Sequence, residues 1–248
     1  MITRIILLLA AVWFTLEATA ADQEDFSFLP PKDEASAVNL WATHYYVHAA
    51  TEIGTGVPIR SKSGQALTGM LNPRDWCLGA IEGTIQVSGT NTVKTLNYAG
   101  VGANMQVDCA AVLKIDPKRK PWISSVGKSY FTTAKGPFGD GVSGFILVPY
   151  RTIAVDPSHF PFGTALYIPK AKGIEVMVAP GKTIRHDGYF FAADTGGAIK
   201  GQHIDVFCGA TAQNCFPAFI TSDNTTGFKA VVVTDASVIS KLKGMHKP

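Results

Sequence analysis

The chain has 248 residues, of which 46% are hydrophobic and 17% charged, a balance that excludes an intrinsically disordered protein. Its length allows one large domain or two small ones. The formal net charge of +3 is compatible with an anionic polymer but too small to mark a nucleic-acid-binding surface, so no nucleic-acid partner is expected.

In chain order, residues 1–20 read as a signal peptide. Arg4 supplies a positive start, Ile5 to Phe14 an apolar core too short to span a membrane, and Ala18-Thr19-Ala20 the small-x-small cleavage pattern. No cysteine follows that core to carry a lipid, and no later apolar run is long enough to cross a bilayer. The expected location is therefore periplasmic or secreted, without a lipid anchor. Residues 21–37 are polar, acidic and Pro-containing and read as a flexible lead-in.

From residue 38 to 236 short apolar runs alternate with Gly, Pro, Asn and Asp, the pattern of an all-β sandwich or barrel. Strands are expected at 40–48, 83–87, 107–113, 144–150, 165–169, 174–179, 189–194, 203–208 and 229–236. The DPSHFPFG segment is a turn or a short helical piece, because Pro157 and Pro161 interrupt it. Residues 72–143 read as an insertion or a small accessory lobe. The stretch Arg185-His186-Asp187 reads as a polar turn. Toward the C-terminus only SVISKLKGMH has a helix pattern, and residues 237–248 form a short basic tail.

The cysteines number four, Cys77, Cys109, Cys208 and Cys215, and an even count in an exported chain favours disulfides. Of the three pairings, Cys77–Cys109 with Cys208–Cys215 is preferred, because the pairs lie in separate regions and the second closes a short loop. A zinc site is disfavoured by the lack of C-x-x-C spacing, and no metal or organic cofactor is expected. His44 and His48, spaced i,i+4, lack the Glu of an H-E-x-x-H motif and read as surface or groove residues on one strand face.

Chemistry concentrates in the C-terminal half. Asp156 in TIAVDPSHFPFGTALYIP, Asp194 in FFAADTGGAIKG and Asp205 in GQHIDVFCG each follow an apolar run, which sets each carboxylate at or beside a buried strand. Burying a carboxylate is costly unless it is hydrogen-bonded or protonated, so three such residues need a reason beyond turn capping. Gly196-Gly197 allows the backbone close to a ligand, with Lys200 nearby. His203, two residues before Asp205, points to the side opposite Ile204, which leaves it a candidate neighbour of the site. Trp41, Tyr45 and Tyr46 are candidates for stacking on sugar rings, although strand aromatics more often serve simple packing.

These motifs resemble the three-Asp (3D) domain family, which includes membrane-bound lytic transglycosylase A. The likeness covers about residues 144–209, with an echo at Thr43-His44-Tyr45-Tyr46. It implies a double-psi β-barrel, to which the sequence adds the inserted or accessory β-rich region at about 72–143. It also implies cleavage of the β-1,4 bond between N-acetylmuramic acid and N-acetylglucosamine in peptidoglycan, leaving a 1,6-anhydro end. By the same resemblance Asp205 is the general acid and base, with Asp194 and Asp156 shaping the site. The candidate substrate-binding residues are Thr43, Tyr45, Thr195, Gly196, Gly197, Lys200 and His203.

One acid suffices for such chemistry because the attacking group is the substrate's own C6 hydroxyl, whereas ordinary glycosidases need two carboxylates. The acid must be protonated when it acts, so its pKa should lie above the ~3.9 of free Asp. Two rivals stand beside this reading. Asp-Thr-Gly is also the core of aspartic peptidases, but those need two copies sharing a proton and this chain has one. A wall-binding barrel without catalysis would keep the fold and be indifferent to replacement of Asp205.

Overall fold

The computed structural model describes residues 26–32, 36–220 and 225–248. The expected signal peptide lies outside the described residues. Among these residues no helix is long and apolar enough to cross a membrane.

The chain enters through strand β1 (Ala37–Tyr45) and then leaves to build a separate lobe. That lobe holds β2 (His48–Thr51), the hairpin of β3 (Val57–Arg60) and β4 (Ala66–Leu71), helix α1 (Pro73–Glu82), β5 (Thr84–Ser88) and β6 (Val93–Val101). Helices α2 (Cys109–Leu113) and α3 (Ile123–Val126) and strand β7 (Ser129–Thr133) complete it. Strands β2, β5, β6 and β7 form one sheet in that order, and β3 with β4 a two-stranded one. The lobe's own core is Trp76, Ile59, Leu71, Ile85, Leu96, Ile123 and Phe131.

The return to the first body brings β8 (Thr152–Ala154), β9 (Ala165–Tyr167), the hairpin β10 (Glu175–Ala179) with β11 (Lys182–Arg185), β12 (Tyr189–Asp194), β13 (His203–Phe207), β14 (Phe228–Val232) and helix α4 (Ala236–Met245). Six strands close into a barrel in the order β1-β13-β8-β12-β9-β14. Two of its neighbouring pairs are parallel, β1 with β13 and β8 with β12. Strand alternation sorts the side chains. Leu40, Ala42, Ile153, Leu166, Phe190, Ala192, Ile204 and Val206 fill the interior, while Thr43, Ala154, His203 and Asp205 take the outer face.

Two expected strands are corrected. Residues 107–113 contain helix α2, capped by the Asp108 side chain on Ala111 N–H. Residues 144–150 are turns and one isolated bridge at Ile146, with no strand. The 40–48 run is also two strands, β1 ending at Tyr45 and β2 starting at His48. His44 and His48 therefore do not share a strand face. His44 Nε2 lies 3.2 Å from Ala212 O, and His48 Nε2 lies 3.0 Å from Asp75 Oδ1.

The segment expected to be a free lead-in is fastened at residues 26–29. Phe26 lies under the Arg151 guanidinium, 3.9 Å away, and Phe28 N–H donates to Asp187 at 3.1 Å. His186 and Asp187, expected in a polar turn, are buried. Asp187 takes two bonds from Arg151, at 2.6 and 2.8 Å, and desolvation leaves such a pair dependent on both partners. Both preferred disulfides are formed, Cys77–Cys109 between α1 and α2 and Cys208–Cys215 just after β13.

Candidate active site

One row of residues runs across four neighbouring barrel strands. Thr43 on β1 pairs with Asp205 on β13, Asp205 with Ala154 on β8, and Ala154 with Asp194 on β12. Simple alternation would turn Asp194 inward with Phe190 and Ala192. An irregularity in the β8–β12 register between Ala192 and Asp194 turns it outward instead, into the row. Ala154 is small enough to leave space between the two carboxylates. At ~4.8 Å per strand their backbones are about 10 Å apart.

Each carboxylate has a distinct setting. Asp194 accepts from the Tyr45 hydroxyl at 2.7 Å and from Thr195 N–H at 2.8 Å. Burial nevertheless pushes its pKa up to about 6, and the Asp205 charge adds to the rise. Asp205 Oδ1 lies 2.6 Å from Thr43 Oγ1, its one side-chain partner among the described residues. Burial raises Asp205 to about 6, against the opposing pull of the Thr43 hydroxyl where it donates to the carboxylate and of His44. Asp156 behaves in the opposite way. It accepts from Gly201 N–H at 2.8 Å, from the Ser158 hydroxyl at 2.7 Å and from Ser158 N–H at 3.0 Å. Those bonds, the Gly201 one foremost, hold it down to about 2. Gly201 has φ +62°, a conformation that glycine adopts without strain, and this turn presents its N–H to Asp156.

A cleft of about 970 Å³ opens between barrel and lobe. Asp205, Asp194, Tyr45, Thr195, Gly196 and Gly197 line it from the barrel side. Thr43 and His203 stand behind Asp205, with His203 Nε2 2.9 Å from Thr43 Oγ1 and the His203 ring stacked on Trp41 at 3.6 Å. Asp156 and Lys200 are not on the cleft wall; Lys200 contributes a charge beside Asp156. The structure thus gathers most of the expected site residues and sets Asp156 and Lys200 in a supporting loop. Among the described residues no cluster of His, Cys, Asp and Glu could hold a metal ion.

The lobe supplies residues that the sequence reading missed. Glu82, the last residue of α1, lines the cleft and accepts from Tyr46 N–H at 3.2 Å. Burial lifts its pKa to about 7, opposed by the Tyr46 N–H and assisted by the Asp205 charge. The signals for α1 were present: Asn72 caps Arg74 N–H, Pro73 takes the first turn, and Gly83 ends the helix at φ +80°. Asn97 ties the lobe to the return segment, accepting from Asp140 N–H at 2.9 Å and donating to Asp140 O at 2.9 Å. Tyr98 and Trp122 lie on the same wall, 44% and 47% exposed.

Residues 151–216 match the family model described as the 3D domain. A solved structure of a membrane-bound lytic murein transglycosylase from Agrobacterium tumefaciens is similar, with a TM-score of 0.51 at 15% identity over 83% of this chain and 78% of that one. Escherichia coli MltA with bound chitohexaose gives a TM-score of 0.48 at 18% identity, over 78% and 71% of the two chains. No curated protein sequence matches. The residues that match the 3D-domain model lie within a closed six-stranded β-barrel whose outer face bears Asp194 and Asp205.

Proposed function

We propose that the protein is a lytic transglycosylase of peptidoglycan, with Asp205 as general acid and then general base. In this reading it cuts the β-1,4 bond between N-acetylmuramic acid and N-acetylglucosamine and leaves 1,6-anhydro ends. The observation that carries the reading is the row Asp205–Ala154–Asp194 on the wall of an open cleft, with Thr43 paired behind Asp205. A carboxyl lifted to about 6 keeps an appreciable neutral fraction near neutral pH, as a general acid requires. Asp194, tied by Tyr45 and Thr195, shapes the site. Asp156, already ionised and triply bonded, fixes the 195–201 loop. Thr43, Tyr45, Thr195, Gly196, Gly197, Lys200 and His203 build the surroundings, and the two parallel strand pairs support a barrel of the double-psi type.

The leaving oxygen takes the Asp205 proton, and the carboxylate then accepts the proton of the C6 hydroxyl as that oxygen closes on C1. Holding the hydroxyl within the same sugar gives it a large effective molarity over water. The aspartic-peptidase reading loses ground because Asp194 and Asp205 bond to Tyr45 and Thr43 rather than to each other through a shared proton. The two disulfides and the signal-like first twenty residues support an exported protein acting in an oxidising compartment.

Digestion of purified sacculi with the mature protein and with Asp205→Asn, with products identified by mass spectrometry, tests the assignment. Anhydro-ended muropeptides from the unsubstituted protein and a loss of about 10²- to 10⁴-fold in the variant are expected. Reducing-end products would overturn the lytic mechanism and direct attention to Glu82 as a second carboxylate. Binding without cleavage by either protein would leave a wall-binding barrel.

A further inference from the structure

Behind Asp205 a line of side chains leads away from the cleft. Thr43 Oγ1 stands between Asp205 Oδ1 at 2.6 Å and His203 Nε2 at 2.9 Å. A threonine hydroxyl has one proton, so it donates to one of these neighbours and accepts from the other. Pointed at Asp205, the proton stabilises the carboxylate. Pointed at His203, it leaves the Thr43 oxygen as an acceptor, and only the neutral acid can then complete the bond from Asp205.

The imidazole decides between these states. His203 is buried on the barrel's outer face, with Trp41 stacked flat on it at 3.6 Å and 5° between the planes. Its backbone N–H donates to Lys200 O at 3.1 Å, and the Ala198 backbone beside the ring favours its charged form. A contact to that backbone that favours the charged ring is one in which a ring N–H donates to the Ala198 carbonyl. Because Nε2 is engaged by Thr43, the donating nitrogen is Nδ1. Burial keeps the ring in its neutral form, so Nε2 is left as a lone pair that accepts the Thr43 hydroxyl.

We propose that His203 is a positioning residue which, acting through the Thr43 hydroxyl, directs the hydrogen bond at Asp205 so that the neutral acid donates it. The proton is thereby kept on Asp205 until the substrate's leaving oxygen takes it. For transfer the carboxyl hydrogen turns from Thr43 to the leaving oxygen, and once it has gone the Thr43 hydroxyl rotates to serve the carboxylate. The inference rests on the reading of Asp205 as the acid. The other groups facing Asp205 are His44 and Tyr45 on β1, Asp194 on β12 and Glu82 on α1. Around His203 stand Trp41, Thr43 and the 198–200 segment, whose Lys200 charge acts on Asp156. Substitution of His203 leaves the identity of each of these groups unchanged.

His203→Phe keeps an aromatic ring under Trp41 and removes the lone pair. Carboxyl NMR titration without substrate should show the Asp205 pKa falling by about one pH unit. On sacculi, the alkaline limb of kcat should move down equally, so that kcat falls about tenfold above it with KM unchanged and recovers at lower pH. Thr43→Ser, which keeps the hydroxyl, should retain the original titration. An unchanged or raised Asp205 titration in His203→Phe would overturn the proposal. In the unsubstituted protein, ¹⁵N spectra should show His203 protonated at Nδ1, and protonation at Nε2 alone would overturn it whether or not the variant folds. Both NMR readings need no turnover, so they separate failure of this relay from failure of the transglycosylase reading.

Discussion

The barrel and the lobe meet at one cleft but hold their residues there by different means. On the barrel side Asp205 and Asp194 sit in register on paired strands, each carboxylate within reach of a β1 hydroxyl, from Thr43 and Tyr45. On the lobe side Glu82 ends a ten-residue helix, and Tyr98 and Trp122 are half exposed. A ladder of backbone hydrogen bonds holds the barrel groups in fixed register, which proton transfer needs. Helix ends and open aromatics suit contacts along an extended ligand, which tolerate more variation. The lobe also keeps its own core and its own disulfide, so the two walls can be perturbed separately.

The largest expected effect comes from breaking the lobe's covalent tie. Cys77–Cys109 spans 32 residues and Cys208–Cys215 spans 7. Loop-closure entropy gives about 3–4 kcal/mol for the longer and about 2 kcal/mol for the shorter. The Cys77→Ala/Cys109→Ala pair should therefore melt earlier than the Cys208→Ala/Cys215→Ala pair. Hydrogen exchange should show lost protection in α1, β5 and β6 while the amides of β12 and β13 stay slow. Equal loss in both bodies would mean that barrel and lobe unfold as one unit, and the contrast drawn above would not hold for stability.

A smaller effect sharpens the electrostatic side of the comparison. Asp194, Asp205 and Glu82 all have folded pKa values above those of the unfolded chain. The folded state then binds more protons, so stability falls as pH rises from about 4 through about 6 to 7 and is flat beyond. Asp205→Asn should relieve this strain. Its Tm should exceed that of the unsubstituted protein by about 2–4 °C at pH 8, with the gain vanishing near pH 4. Asp156→Asn should do the opposite, because its pKa is held down to about 2 and its ionised form supports the fold. Calorimetry of the two variants at both pH values reads the difference, and a common sign would contradict the separation of acid from loop anchor.

Legibility in the sequence follows the same divide. The three aspartates are visible because each interrupts an apolar strand pattern, and the strands that carry Asp194 and Asp205 follow the expected runs at 189–194 and 203–208. The outward turn of Asp194 is not visible, since a register irregularity depends on the partner strand β8. In the lobe, VDCAAVL is short, apolar and without clear period, so strand and helix patterns fit it equally. Its helix is settled by the Asp108 cap and by packing against α1. Asn72-Pro73 reads as punctuation as readily as a helix start, and with α1 goes Glu82, whose role depends on where that helix ends.

The smallest effect probes the open wall of the lobe. Trp122 and Trp76 belong to the same body, yet Trp76 is fully buried against Phe131 while Trp122 is 47% exposed on the cleft. Burial commits Trp76 to the core; at 122 half of the indole is left open on the cleft, where a ligand can cover it. A sugar ring laid on that face would gain about 0.5–1.5 kcal/mol. Trp122→Ala should then raise KM for sacculi or soluble glycan strands about 3- to 10-fold, with kcat and Tm unchanged. A fall in kcat at constant KM would instead place Trp122 among the groups that act on the transition state, and the division between a chemical barrel and a binding lobe would have to be redrawn.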